Sequence, residues 1–125
     1  DIAIVGRSLG SGVAVQIASR VAASRLILIT PYDSIVEIGA QMYPFLPVRW
    51  LAIDTYESGK FAPSIKIPTT IIEAENDQEI PHASTAKLLS RFDPGIGTMT
   101  RIEGVGHNDI GRNEKYRETL QAALK

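Results

Sequence analysis

The segment "DIAIVGRSLGSGVAVQIA" at the start of the chain constrains its fold more than any other. Ile2 to Val5 is a short apolar run that stops at Gly6, the pattern of a buried strand entering a turn. From Ser8 to about Ala23 small and apolar residues dominate without a proline, which predicts a helix. Val13, Ile17 and Val21 recur at four-residue spacing and read as its core-facing stripe. Between strand and helix lies "VGRSLGSG". Taken as Gly6-Arg7-Ser8-Leu9-Gly10 it is G-x-S-x-G, the turn that presents a nucleophilic serine. Taken as Gly6, Gly10 and Gly12 it is a glycine-rich turn of the sort that cradles a dinucleotide phosphate.

The rest of the chain repeats the alternation. "RLILIT" (Arg25 to Thr30) reads as a second buried strand, stopped by Pro31, and "TTIIEAE" (Thr69 to Glu75) as a third. "PHASTAKLLSRF" (Pro81 to Phe92) reads as a helix with proline in its first turn. "GTMTRIEG" (Gly97 to Gly104) is a fourth strand, and a last helix is expected over Asn113 to Ala123. Strands alternating with helices predict an α/β fold, a parallel sheet of about four strands with flanking helices. Pro31 to Ile67 is longer than a structureless loop usually runs, and is expected to be a cap-like segment with short helices near Ile35–Met42 and Val48–Ala52. It holds Tyr32, Tyr43, Phe45, Trp50, Tyr56 and Phe61. They either pack the segment onto the sheet or form an apolar wall for an acyl group, with Tyr32, Tyr43, Phe45 and Trp50 as the substrate-binding candidates.

Composition narrows the partners. A chain of 125 residues with 44% hydrophobic and 22% charged residues is an ordinary globular domain. A net charge of -1 gives no electrostatic reason to expect nucleic acid or an anionic membrane. Without cysteine, thiol catalysis and thiolate metal sites are excluded, and the compartment stays open, with the cytoplasm the expectation. No apolar run approaches the roughly 18 residues of a membrane span. His82 and His107 lie far apart with no clustered carboxylates, so no metal site is expected. His82 reads as an ordinary exposed first-turn residue.

The two readings of the glycine turn make different demands. For a dinucleotide, Asp33 stands where a ribose-binding carboxylate belongs, and Tyr56 and Lys60 have Y-x-x-x-K spacing. Gly59 beside Lys60 argues against the helix that such a pair needs. A serine nucleophile needs a base and the base an orienting carboxylate, in the chain order Ser, Asp/Glu, His. Asp77 follows the third strand in "EAENDQEIP" and His107 the fourth in "EGVGHND". Ser8, Asp77 and His107 thus each lie at the carboxyl end of a strand, the edge where ligands bind on an open parallel sheet. Glu75, Glu79 and Asp109 are rival carboxylates, and Ser8 as a plain helix N-cap is the bland alternative. Gly6 and Gly10 are expected to flank Ser8 because the strained turn leaves no room for side chains.

The elbow "VGRSLGSG", the "PYDSI" after the next strand, the acid loop "ENDQEIP" and the histidine loop "GVGHND" together resemble the C-terminal half of an α/β-hydrolase. The chain is similar along its whole length to the small bacterial and eukaryotic serine hydrolases and S33-like peptidases of that superfamily. The resemblance implies Ser8 as nucleophile, Asp77 as acid, His107 as base and the Leu9 backbone N–H as one oxyanion donor. It implies no cofactor, a small ester, thioester or amide substrate, and a second oxyanion donor on an upstream half that full activity needs. The first strand would then be a bare edge through which the isolated chain self-associates. The alternatives are a non-catalytic interaction module that keeps the fold and, behind it, a dinucleotide-binding fragment.

Overall fold

The computed structural model describes residues 1–42, 44–45 and 57–125. In β2 (Arg25–Ile29) every residue after the first is buried, because this strand lies between two others and is covered on both faces. It pairs in parallel with β1 (Ala3–Arg7) and with β3 (Thr69–Ala74), and β3 pairs in parallel with β4 (Gly97–Ile102). Among the described residues the sheet has four strands in the order β1-β2-β3-β4. The expected strands are all present. β1 runs on through Gly6, whose register partner is Leu28, and ends at Arg7, directly before the serine.

Side chains alternate across the strands and so build two cores. On one face Leu26, Leu28 and Ile71 meet Ala14 and Val15 of α1 (Leu9–Ala18) and Leu88 of α4 (His82–Arg91). On the other, Ile27, Ile29, Ile72 and Ile102 meet Tyr116 of α5 (Glu114–Leu124). Asn113 caps α5, its side-chain oxygen accepting the Tyr116 N–H at 3.2 Å. The connection from β2 to β3 contains α2 (Ile35–Met42), as expected, then α3 (Ser58–Phe61), continued by the 3-10 turn Ala62–Ser64. The expected helix near Val48–Ala52, with Tyr43, Trp50 and Tyr56, lies outside the described residues.

α1 departs from expectation in two ways. It ends at Ala18, and Ser24 then donates both its N–H (2.8 Å) and its hydroxyl (2.9 Å) to the Ile2 carbonyl, drawing the chain back to the start of the sheet. The expected apolar stripe is also not buried, for Val13 and Ile17 of α1, and Val21 beyond its end, are 45%, 45% and 50% exposed. The buried side is instead the small one, Ser11, Gly12, Ala14 and Val15. Close approach decides this. A Cβ on Gly6 would stand 2.5 Å from the Ala14 Cβ and 2.8 Å from the Ser11 Cα, so only small residues can face β1 there.

Candidate active site

Ser8 sits between β1 and α1 with φ 50° and ψ −123°, a left-handed conformation that a residue other than glycine rarely adopts. It is the residue before the first turn of α1, yet its side chain makes no capping hydrogen bond, which sets aside the N-cap reading. The turn is held from three sides. The Ser8 N–H donates to the Ile29 carbonyl at 2.9 Å, and the Ser11 N–H and hydroxyl both donate to the Ser8 carbonyl, at 2.9 and 2.6 Å. The Tyr32 hydroxyl, from below, donates to the Leu9 carbonyl at 3.1 Å. Thr30, at the end of the neighbouring strand, also has a positive φ of 47°, so backbone strain collects at this sheet edge. Leu9 opens the helix, and its N–H therefore has no carbonyl within α1 to bind.

The glycines differ. The Gly6 position leaves no room for a side chain, as expected, but a Cβ on Gly10 would meet nothing within 4 Å. Gly10 is therefore not needed for space within this chain.

His107 is 7% exposed and bridges the serine and one carboxylate. Its Nε2 lies 2.8 Å from Ser8 Oγ and its Nδ1 lies 2.9 Å from Asp77 Oδ2. A carboxylate only accepts, so Nδ1 carries the hydrogen, and in the neutral ring the Nε2 lone pair is then the one that faces the serine hydroxyl. The second Asp77 oxygen, Oδ1, accepts the N–H groups of Glu79 (2.9 Å) and Ile80 (2.8 Å), fixing the carboxylate within its own loop. The rival carboxylates do other work. Glu75 accepts the Gly104 N–H at 2.8 Å and Asp109 the Gly106 N–H at 2.6 Å, so both shape the histidine loop. Glu79 does reach the ring, but at the opposite nitrogen, 3.2 Å from Nε2.

The two loops are stitched together where the sheet ends. Glu75 N–H donates to the Ile102 carbonyl at 3.0 Å and Asn76 N–H to the Val105 carbonyl at 2.9 Å. Gly104 takes a positive φ of 73° in the turn after β4. Arg7, the residue before the serine, donates from Nη2 to the His107 carbonyl at 2.9 Å and ties the elbow to the histidine loop.

His82 is more than an exposed first-turn residue. Its Nδ1 stands 3.1 Å from Glu73 Oε2 and its Nε2 2.7 Å from the Glu75 carbonyl, so both nitrogens face acceptors. The bond to Glu73 first, and that to Glu75 second, raise its pKa above 6.5, against the opposing pull of burial and of Arg101. Arg101 donates to the other oxygen of the buried Glu73 at 2.7 Å.

The aromatic candidates separate. Tyr32 is fully buried, with Ile38 and Ile80, and underpins the elbow, whereas Phe45 is exposed. Tyr43 and Trp50 lie outside the described residues. The dinucleotide alternative loses its acid, because Asp33 is enclosed by Arg91 at 2.8 Å and Lys87 at 3.7 Å. Lys60 in turn pairs with Glu57. Among the described residues no three His, Asp or Glu side chains converge as metal ligands.

No family model matches the chain. It is 35% identical over 108 residues to an uncharacterized protein of Mycobacterium tuberculosis, covering 86% of this chain and 38% of that protein. It is 26% identical over 123 residues to an alpha/beta hydrolase domain-containing protein of Caenorhabditis elegans, covering 98% of this chain and 36% of that protein. The chain thus spans less than two-fifths of the length of these curated relatives. Among solved structures it resembles an alpha/beta hydrolase of Penicillium, with a TM-score of 0.71 at 15% identity over 98% of this chain and 61% of that one. The parallel strand order, the strained serine turn between β1 and α1, and these likenesses show that the chain has the α/β-hydrolase fold.

Proposed function

We propose that the protein carrying this chain is a serine hydrolase that cleaves ester, thioester or amide bonds. One observation carries the reading: Ser8 Oγ, His107 and Asp77 form an unbroken series of contacts of 2.8 and 2.9 Å at the edge of the sheet. In this reading Ser8 Oγ attacks the substrate carbonyl while Nε2 takes its proton. Asp77 holds the tautomer and stabilises the imidazolium as it forms. The Leu9 N–H donates to the oxyanion. Collapse of the tetrahedral intermediate passes the Nε2 proton to the departing alcohol, thiol or amine and leaves an acyl-serine. Water, activated by the same nitrogen, then releases the acid. A second oxyanion donor is proposed to come from a segment outside these 125 residues. The test is hydrolysis of p-nitrophenyl acetate by the complete protein and by its Ser8→Ala variant. Ser8→Ala is expected to lose several orders of magnitude in kcat, and an unchanged rate removes the proposal.

A second reading, an interaction module, draws on a different observation. Ile2, Val5, Leu9, Val13, Ile17 and Val21 form an exposed apolar set along β1 and α1. The two readings are compatible if a further polypeptide covers that surface.

A further inference from the structure

We infer that Glu79 is a specificity residue that favours substrates whose leaving group is positively charged. The inference rests on the serine-hydrolase reading above and adds a preference that the three contacting residues do not themselves encode.

The position of the carboxylate is the first ground. In acyl transfer the nitrogen that removes the serine proton later delivers it to the leaving group, so that group stands against Nε2. Glu79 Oε2 lies 3.2 Å from that same nitrogen. Nε2 has one hydrogen-bonding direction, and in the neutral tautomer it is turned to Ser8 Oγ at 2.8 Å as an acceptor. A carboxylate beside an accepting nitrogen forms no hydrogen bond with it, so Glu79 is left to face whatever group approaches Nε2.

The second ground is what surrounds it. A cleft of about 520 Å³ opens beside the ring, lined by Glu79 and Asp109 together with the amides Asn76, Gln78 and Asn108. Among the described residues no aliphatic side chain lines it, and the His107 imidazole is the one aromatic ring there. Asn108 Nδ2 donates to Glu79 Oε1 at 3.2 Å, holding the carboxylate over the cleft. Among the described residues no Lys or Arg lies within ion-pair distance of Glu79, and the Arg7 guanidinium, which keeps its charge, binds the His107 backbone carbonyl and not the Glu79 carboxylate. The leaving-group side is thus polar and negative, and a cation there gains Coulomb energy that a neutral group of the same shape does not.

The backbone of Glu79 supports Asp77 through its N–H, but that bond survives any substitution of the side chain. The charge can therefore be altered separately from the loop. The Glu79 side chain is 56% exposed, so solvent screens it and the effect is moderate.

The test compares kcat/KM for acetylcholine and for its neutral isostere 3,3-dimethylbutyl acetate in the complete protein. Glu79→Gln, Glu79→Asp and Glu79→Lys are measured alongside. The expected preference for the cationic ester is about five- to tenfold, declining with salt. It falls to near unity in Glu79→Gln, persists in part in Glu79→Asp and inverts in Glu79→Lys. A ratio that is the same in all four proteins overturns the inference, as does failure to cleave either acetate while p-nitrophenyl acetate is turned over through Ser8. Hydrolysis of p-nitrophenyl acetate that ignores Ser8→Ala overturns the serine-hydrolase reading itself, and the Glu79 assignment with it.

Discussion

Asp77 gives His107 one oxygen and its own loop the other: Oδ2 lies 2.9 Å from the ring Nδ1 while Oδ1 accepts two backbone N–H groups. The carboxylate is thereby oriented before any substrate binds. Asp77→Asn keeps the shape but offers Nδ1 an amide, which favours the wrong tautomer. It is expected to lower kcat for p-nitrophenyl acetate by about 10³–10⁴-fold in the complete protein. Glu75→Gln and Asp109→Asn, which touch only the N–H groups of the histidine loop, should instead lower stability by about 1 kcal/mol each. Steady-state kinetics with thermal unfolding of the three variants separates these outcomes. A kinetic loss in Glu75→Gln as large as in Asp77→Asn would reassign the acid.

Gly6 and Gly10 look equivalent in the motif and are not equivalent in space. Gly6→Ala places a methyl group 2.5 Å from the Ala14 Cβ and 2.7 Å from the Gly10 carbonyl, so α1 has to move off β1. We expect it to cost at least about 1–3 kcal/mol and to disturb Ser8. Gly10→Ala meets open space within the helix and is expected to stabilise by about 0.5–1 kcal/mol. Denaturant unfolding of both variants provides the comparison, and equal destabilisation would contradict it.

His82 gives stability a pH dependence of definite sign. Its folded pKa is raised by Glu73 and by the Glu75 carbonyl, so the charged ring is favoured in the folded state. Its stabilising contribution is complete below the unfolded value near 6.5 and fades as pH rises through the higher folded value. The side chain is 38% exposed, which keeps the effect small. Thermal midpoints of wild type and His82→Gln should therefore differ most below pH 6.5 and converge in alkaline buffer. A gap that widens with pH would show the sign to be wrong.

The isolated 125-residue chain is expected to self-associate. Among the described residues β1 pairs on one side only, and the exposed side chains beside it on α1 are apolar. Burying the remaining half of each contributes roughly 1 kcal/mol. Sedimentation should show a concentration-dependent assembly that a Val13→Lys, Ile17→Glu double variant dissolves. A strict monomer at high concentration, with rapidly exchanging β1 amides, would argue against association.

Much of the site was legible because each of its residues follows a short segment that reads as a strand, strongly apolar in the first and β-branched or alternating in the others. Ser8 follows Ile2 to Val5, Asp77 follows "TTIIEAE" and His107 follows "GTMTRIEG", so the topology brings all three to one edge. The facing of α1 was not legible. Periodicity places Val13, Ile17 and Val21 on one stripe, but the approach of Ala14 to Gly6 decides which side turns inward. The contacts of His82 are not legible, because its partners, Glu73 and the Glu75 carbonyl, become neighbours only when the acid loop folds back. Arg7 gave no signal, since the His107 carbonyl it binds lies 100 residues away. Glu79 was visible as a rival acid, but its approach to Nε2 rather than Nδ1 depends on the path of its loop.

A fluorophosphonate probe reacts with a serine only where a base activates it, and the adduct can be mapped to a residue by peptide mass spectrometry. In the complete protein a single adduct is expected on Ser8, absent in Ser8→Ala and slowed by several orders of magnitude in His107→Ala, because the proposed mechanism makes Nε2, 2.8 Å from the hydroxyl, the base that activates it. An adduct on another serine, or labelling of Ser8 at the same rate when His107 is replaced, would contradict the assignment of these residues to one nucleophilic site.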